Sequence, residues 1–259
     1  YMIKLQHILL FFFIILLLFY YYKNKSFVKH DIIKYDKIIN NDTLNYLKKN
    51  LFNPHGIWGN LMVDIHEYDP NSLKVIKKYK VILKDFIRDE NKNKCIKQAL
   101  LDLDKLSEFS NLINLIKTDL SKIISIDDMR KIKLRISKTP WTYPAHFDCF
   151  NGNLLQLYNT RIINTIKFKN INEFNNLDKY SPDYIKQFYY SKSTFLNPGD
   201  LLELPKYLVH AIRGQSEDDI NLSIALSFIT DKHASTQTCE NIFTKKFNYR
   251  INEINNKYL

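Results

Sequence analysis

Three side chains of metal-ligand type stand out: His146 and Asp148, within His146-Phe147-Asp148, and His210 well downstream. The first two fall in a stretch that reads as a strand, where residues two apart leave the same face. His210 follows a second strand-like run, Asp200-Leu201-Leu202-Glu203-Leu204-Pro205, after a short loop. In a closed barrel those strands can be neighbours, and the three groups can converge. Two imidazoles and one carboxylate make a facial triad that leaves three positions open on an octahedral metal. That set suits a non-haem Fe(II) that activates oxygen. The competing reading is a core histidine with Asp148 as its salt-bridge partner.

His-x-Asp recurs by chance, so its surroundings matter more than the triplet. The remaining histidines, His7, His30, His55, His66 and His233, lack matched partners and read as surface or interfacial positions. Asp64 with His66-Glu67 reads as a solvated face and not as a metal cluster. Cys149, next to Asp148 on the strand, points the other way and reads as a core thiol. Trp58 and Trp141 read as packing residues. The chain has no Gly-rich phosphate loop, no Gly-x-Ser-x-Gly elbow and no Cys-x-x-Cys. Its three cysteines, odd in number and far apart, exclude a disulfide scaffold.

Around these residues the chain changes texture. From Asp36 to Arg130 the pattern is mainly helical. Leu44, Leu47 and Leu51, then Ile96, Leu100 and Leu103, stand at helical spacing, and Leu112, Ile113, Leu115 and Ile116 continue it. After Arg130, Ile132, Leu134 and Ile136 alternate with Lys131, Lys133 and Arg135, as in a half-buried strand. Leu154–Tyr158, Asn159-Thr160 and Arg161–Phe168 read as a hairpin. Asn197-Pro198-Gly199-Asp200 is a turn, and Leu222–Ile229 is a further β run. Short strands separated by turns predict an antiparallel barrel or jelly roll.

The motifs run in a recognisable order. Thr139-Pro140-Trp141-Thr142-Tyr143-Pro144-Ala145 leads into His146-Phe147-Asp148, followed by Asn153-Leu154-Leu155-Gln156-Leu157 and Arg161. Pro198-Gly199-Asp200-Leu201-Leu202-Glu203-Leu204-Pro205 then leads to His210, and Leu222-Ser223-Ile224-Ala225-Leu226-Ser227-Phe228 closes the series. Over residues 131–230 this resembles the JmjC and cupin-like hydroxylases, a family of Fe(II)- and 2-oxoglutarate-dependent dioxygenases. The resemblance implies an α+β protein built on a double-stranded β-helix. It implies iron at His146, Asp148 and His210, with 2-oxoglutarate and O2 as cosubstrates. Arg161 stands where the family has a Lys that pairs with the far carboxylate of 2-oxoglutarate. A guanidinium keeps the charge and adds a planar fork, so reach and cosubstrate identity are the questions it raises. Asn153, the hydroxyl of Thr142 or Tyr143, and Ser227 match weaker cosubstrate positions. Asn159 replaces the family's turn Gly and tolerates positive φ, while Leu208 replaces an aromatic residue before His210.

The N-terminal run Leu5–Tyr22 is apolar enough, at roughly 18–20 residues, to span a hydrocarbon core. Tyr20, Tyr21 and Tyr22 would form an interfacial belt, followed by Lys23, Lys25 and Lys29. A cleaved signal peptide is the rival, but Ser26 is the sole small residue offered near a cleavage site. The lysine distribution leans toward a cytoplasmic C-terminal domain on a single-pass anchor. The expected organisation is an anchor over 1–25, a mainly helical region over 26–130, the barrel over 131–235 and a C-terminal helix over 236–259. Phe243, Phe247 and Ile251 give that helix an apolar stripe suited to a homodimer.

The chain's 259 residues fit one domain plus an anchor, and 25% charged with 45% hydrophobic residues is a globular balance. A net charge of +11 fits acidic or nucleic-acid partners, although richness in Asn, Ile and Lys accounts for part of it. The family resemblance, with the apolar N-terminal run, implies a membrane-anchored dioxygenase hydroxylating a macromolecule, most simply a protein. The alternative is a non-catalytic cupin-like binding module tethered to a membrane.

Overall fold

The computed structural model describes residues 32–68, 75–89, 96–138, 141–146, 148, 150–166, 191–205, 208–215 and 221–230; within its strands the side chains of residues 141–146, 166, 191 and 209 are not described. Strands run β1 Ile33–Tyr35, β2 Met62–Tyr68, β3 Val75–Ile82, β4 Ile96–Asp102, β5 Arg130–Lys138 and β6 Trp141–His146. They continue as β7 Gly152–Tyr158, β8 Thr160–Ile166, β9 Ser191–Leu196, β10 Leu201–Leu204, β11 Val209–Gln215 and β12 Leu222–Ile229. The helices are α1 Asn41–Leu51, α2 Leu83–Arg88 and α3 Ser110–Leu120.

Two antiparallel sheets result, one of eight strands in the order β1-β10-β7-β12-β5-β4-β2-β3 and one of four in the order β6-β11-β8-β9. Alternation along β12 explains the layering. Leu222, Ile224, Leu226 and Phe228 lie in the larger core, which also holds Leu44, Leu47 and Leu51 of α1 and Leu112, Ile116 and Leu120 of α3. Burying each of those helix leucines stabilises the fold by about 1.5–3 kcal/mol. Asn40 caps α1 through its side-chain oxygen, which accepts from Thr43 N at 2.8 Å. The intervening β12 positions face the second sheet. Ala225 joins Leu154, Leu202 and Leu204 from the large sheet and Ile163 and Leu196 from the small one in a second core.

Several expectations hold. The alternation over Ile132–Ile136 is strand β5, Leu44–Leu51 and Leu112–Ile116 are helical, and Leu222–Ile229 is β12. Asn197-Pro198-Gly199-Asp200 is the turn between β9 and β10, with Gly199 at φ 93°. Asp200, 1% exposed, holds that corner: its carboxylate accepts from Asn197 N and Lys37 N, both at 2.9 Å, and pairs with Lys34 Nζ at 2.9 Å.

Others need correction. The region expected to be mainly helical also supplies β1 to β4, three of which extend the eight-stranded sheet beyond the barrel. Ile96 to Leu103 misleads because β4 is covered on both faces, with Ala99 and Leu101 on one and Gln98 on the other. A strand buried on both sides loses its two-residue alternation and reads equally well as helix. The expected hairpin across Asn159 is also not one. β7 pairs with β10 and β12, whereas β8 pairs with β11 and β9, so Asn159 is a corner between sheets. Its φ of 54° is the left-handed conformation that Asn accommodates.

Among the described residues no helix is long and apolar enough to cross a membrane. The anchor expected over residues 5–22 and the helix expected over 236–259 lie outside the described residues.

Candidate metal and cosubstrate site

His210 sits on β11 between two partners, opposite His146 of β6 and opposite Thr165 of β8. The β6–β11 register shifts between His210 and Ile212, where three residue steps on β6 oppose two on β11. Pro144 falls inside that step and has no N–H to give the ladder, which is why a bulge forms here. Asp148 lies just past the end of β6, not on the strand as its spacing from His146 suggests. It still reaches the site.

His210 is 2% exposed, and its Nδ1 stands 2.9 Å from the carbonyl of Leu208. A carbonyl only accepts, so the bond places the ring proton on Nδ1 and leaves Nε2 with its lone pair. That Nε2 faces Asp148 Oδ2 at 3.8 Å. The separation is too long for a hydrogen bond, yet it falls inside the span of two bonds of about 2.0–2.2 Å to one ion. A ring nitrogen oriented by a backbone carbonyl, opposite a carboxylate oxygen, is what a metal ligand pair requires. The backbone of His146 stands in register with His210, so the third expected ligand begins from the neighbouring strand. Its side chain lies outside the described residues, and among those described no group of three His, Cys, Asp or Glu side chains is placed to hold a metal.

Arg161 occupies the other end of the same sheet face. Thr165 is opposite His210 and Gly214 is opposite Arg161, so Arg161 and His210 share a face, four residues apart along the strands. At about 3.3 Å per residue that is roughly 13 Å. Arg161 is 1% exposed, and its Nε donates to Ser223 Oγ at 3.0 Å across the space between the sheets. Burial, and after it the nearby Arg135 guanidinium, push its pKa down to about 9. Both influences disfavour the cation and would be relieved by an anion. Gln156, fully buried, braces this end: its Nε2 donates to the carbonyls of Tyr158 at 2.7 Å and Asn159 at 2.6 Å and lies 3.2 Å from Ser223 Oγ.

The weaker expectations divide. Ser227 lies on the inner face of β12, where its Oγ accepts from Arg135 Nε at 2.9 Å. Asn153 shares the parity of Leu155, which packs into the outer core, and its Nδ2 donates to Thr230 Oγ1 at 3.2 Å. The structure does not bring Asn153 to the inner face; Leu154, its neighbour, is the residue that turns inward. Tyr143 and Thr142 stand opposite Ile212 and Arg213, with side chains outside the described residues. Asp64 and His66 share one face of β2 while Glu67 takes the other, so that trio is split by strand alternation and not placed on a helix. Ser223, Gln156 and Arg135 were missed. The signal was present in Leu222-Ser223-Ile224-Ala225-Leu226-Ser227, whose small and polar alternate positions mark one lined face.

No protein-family model matches the chain, and no curated protein matches it. Among solved structures the chain is similar to YcfD, a ribosomal oxygenase from Escherichia coli, at 10% identity and a TM-score of 0.45. The match covers 81% of this chain and 50% of that one, so the chain spans about half the length of that protein. Function therefore has to be read from the site's own residues.

Proposed function

We propose that the chain is a JmjC-type dioxygenase that uses Fe(II), 2-oxoglutarate and O2 to hydroxylate a protein substrate. One observation carries this reading. His210 and Asp148 converge at one end of an inner sheet face, and a fully buried arginine waits at the other. An arginine side chain and a short dicarboxylate laid end to end bridge that interval.

In this reading His146, Asp148 and His210 hold the iron, which supplies the oxygen-activating centre when bound. Leu208 O fixes the His210 tautomer so that Nε2 is a lone-pair donor. Arg161 binds the far carboxylate of 2-oxoglutarate, and Ser223 holds its Nε in place. Tyr143 and Ser227 supply hydroxyls near the cosubstrate. Leu154, Ile163, Leu202 and Ala225 make the space between the sheets apolar and exclude water from it. The run Leu5–Tyr22 anchors the chain in a membrane with the barrel on the cytoplasmic side, and the stripe Phe243–Ile251 serves a homodimer.

The test uses the full chain in non-ionic detergent, without oxygen. Fe(II) and 2-oxoglutarate are added and the visible metal-to-ligand charge-transfer band is recorded, then repeated with His210→Ala. A band that needs His210 supports both ligand and cosubstrate assignments. Bound iron without a band removes 2-oxoglutarate. A folded protein that binds no iron leaves the tethered, non-catalytic binding module as the reading.

A further inference from the structure

The inner face of the eight-stranded sheet does not end at the barrel. Register carries it outward row by row. Ser223 of β12 pairs with Ser137 of β5, Ser137 with Gln98 of β4, Gln98 with His66 of β2, and His66 with Lys78 of β3. The next row runs Ala225, Arg135, Leu100, Asp64 and Lys80, and Lys133 pairs with Ser227 beyond it. Directly opposed residues of antiparallel strands share a face. Lys78, Lys80, Lys133 and Arg135 therefore stand on the face that also receives Arg161 through Ser223.

The rows of this face run on to the Asp148 end. Ile229 of β12 pairs with Gly152 on one side and Arg130 on the other, and Asp148 Oδ2 lies 3.9 Å from where a Cβ on Gly152 would be. By the same register Arg130 stands in the Asp148 row itself, and Lys133 and then Arg135 follow it along β5. Lys78, Lys80 and Lys133 are exposed. The carboxylates on the face are Asp64, 4.0 Å from Lys80, and Asp102, 3.0 Å from Lys105. They offset the cations only in part: His66 is lowered by burial first, then by Lys78 against the opposing Asp64, with Lys133 and Arg135 adding to the lowering, and Lys133 is lowered by burial and then Arg135, against the opposing Asp102. Beneath this strip Gln98 Oε1 and Ser137 Oγ, 2% and 0% exposed, have no hydrogen-bond partner among the described residues.

From β3 to β5 is three strand spacings, about 14 Å, too broad for one small anion and suited to an extended chain. A nucleic-acid strand would be held by exposed aromatic platforms. The described aromatics on this face are Tyr68, buried against Ile96 and Ile212, and His66, half-buried with its ring 6.0 Å from that of Tyr68, so neither stands out as an exposed platform. We propose that this basic strip docks an acidic, Asp- and Glu-rich polypeptide segment and leads its target side chain to the Asp148–His210 end. The inference rests on the proposed dioxygenase reading for what happens at that end, but the docking itself needs neither iron nor cosubstrate.

The test is fluorescence anisotropy with the full chain in non-ionic detergent containing a chelator. The probes are a labelled Asp/Glu-rich peptide of about eight residues, enough to cross the strip, its Asn/Gln counterpart, and an oligouridine of equal charge. The acidic peptide should bind at least about tenfold tighter than the neutral one, with affinity falling as salt rises. Joint reversal of Lys78, Lys80 and Lys133 to Glu should weaken it by about tenfold or more. Reversal of Lys49, Lys117 and Lys122, on and beside the helices, should change it less than about twofold. Equal losses in the two triple variants overturn the proposal, as does tighter binding of the oligouridine. The charge-transfer band, recorded on the same variants, shows that the barrel is intact. Absence of that band in the wild type with peptide binding preserved would sink the dioxygenase reading and leave the docking strip standing.

Discussion

Replacing Arg161 with Met should make the ligand-free protein more stable and the cosubstrate-bound protein less so. The guanidinium is 1% exposed and its pKa falls from 12.5 to about 9, so the folded state disfavours the charge by (12.5 − 9) × 1.36, about 5 kcal/mol. Methionine fills most of the volume without a charge. It forfeits the bond from Nε to Ser223 Oγ, about 1 kcal/mol, and some packing. The net expectation is a gain of about 2–4 kcal/mol, or about 4–16 °C in Tm at roughly 2–4 °C per kcal/mol. Binding goes the other way, because truncating one member of a buried ion pair costs about 2–5 kcal/mol, at least about 30-fold in Kd. The assay is thermal unfolding without oxygen, with Fe(II) present and 2-oxoglutarate added or withheld. Saturating wild type at about a hundred times Kd should add about 2.7 kcal/mol, and the variant at the same concentration should keep at most about a third of that shift. A variant less stable than wild type without ligand, or one that keeps the shift, refutes the assignment of Arg161 as a strained anion clamp.

Three further expectations concern the frame. Lys138 is 2% exposed, donates to Ile87 O at 2.8 Å and has its pKa pushed down to about 8, mainly by burial. Its folded pKa lies below the unfolded 10.5, so the unfolded chain binds more protons between those values and stability rises with pH across that window, by about 3 kcal/mol. Urea melts of Lys138→Met should lose that slope. Asn159→Val should cost about 2–3 kcal/mol, from the left-handed backbone and the lost Nδ2 bond to Leu222 O, whereas Asn159→Gly should cost about 1 kcal/mol; urea midpoints separate them. Asp200→Ala should cost about 3 kcal/mol by stranding two backbone N–H groups and Lys34, and hydrogen exchange should report opening at β1 and the β9–β10 turn.

Residue types and local order alone were enough for the strands at 132–136 and 222–229 and for the Asn197–Asp200 turn. Each depends on a short-range cause: two-residue alternation or a glycine at positive φ. The 3.8 Å approach of His210 to Asp148 is long-range, set by β11 lying beside β6. The family resemblance puts Arg161 forward as a carboxylate partner, and the structure adds its burial. What the sequence could not decide was which sheet a strand joins. β7 and β8 are separated by one residue and look like a hairpin, yet Asn159 sends them to different sheets because their partners, β12 and β11, come from far along the chain. β4 hid as a helix because covering both of its faces erased the alternation that would have revealed it. Asn153 and Ser223 changed places as candidates for the same reason: a strand's inward parity is set by what packs across from it. Only the tertiary structure joined Lys78, Lys133 and Arg161 to one face, since register between distant strands is a long-range property that no local spacing encodes.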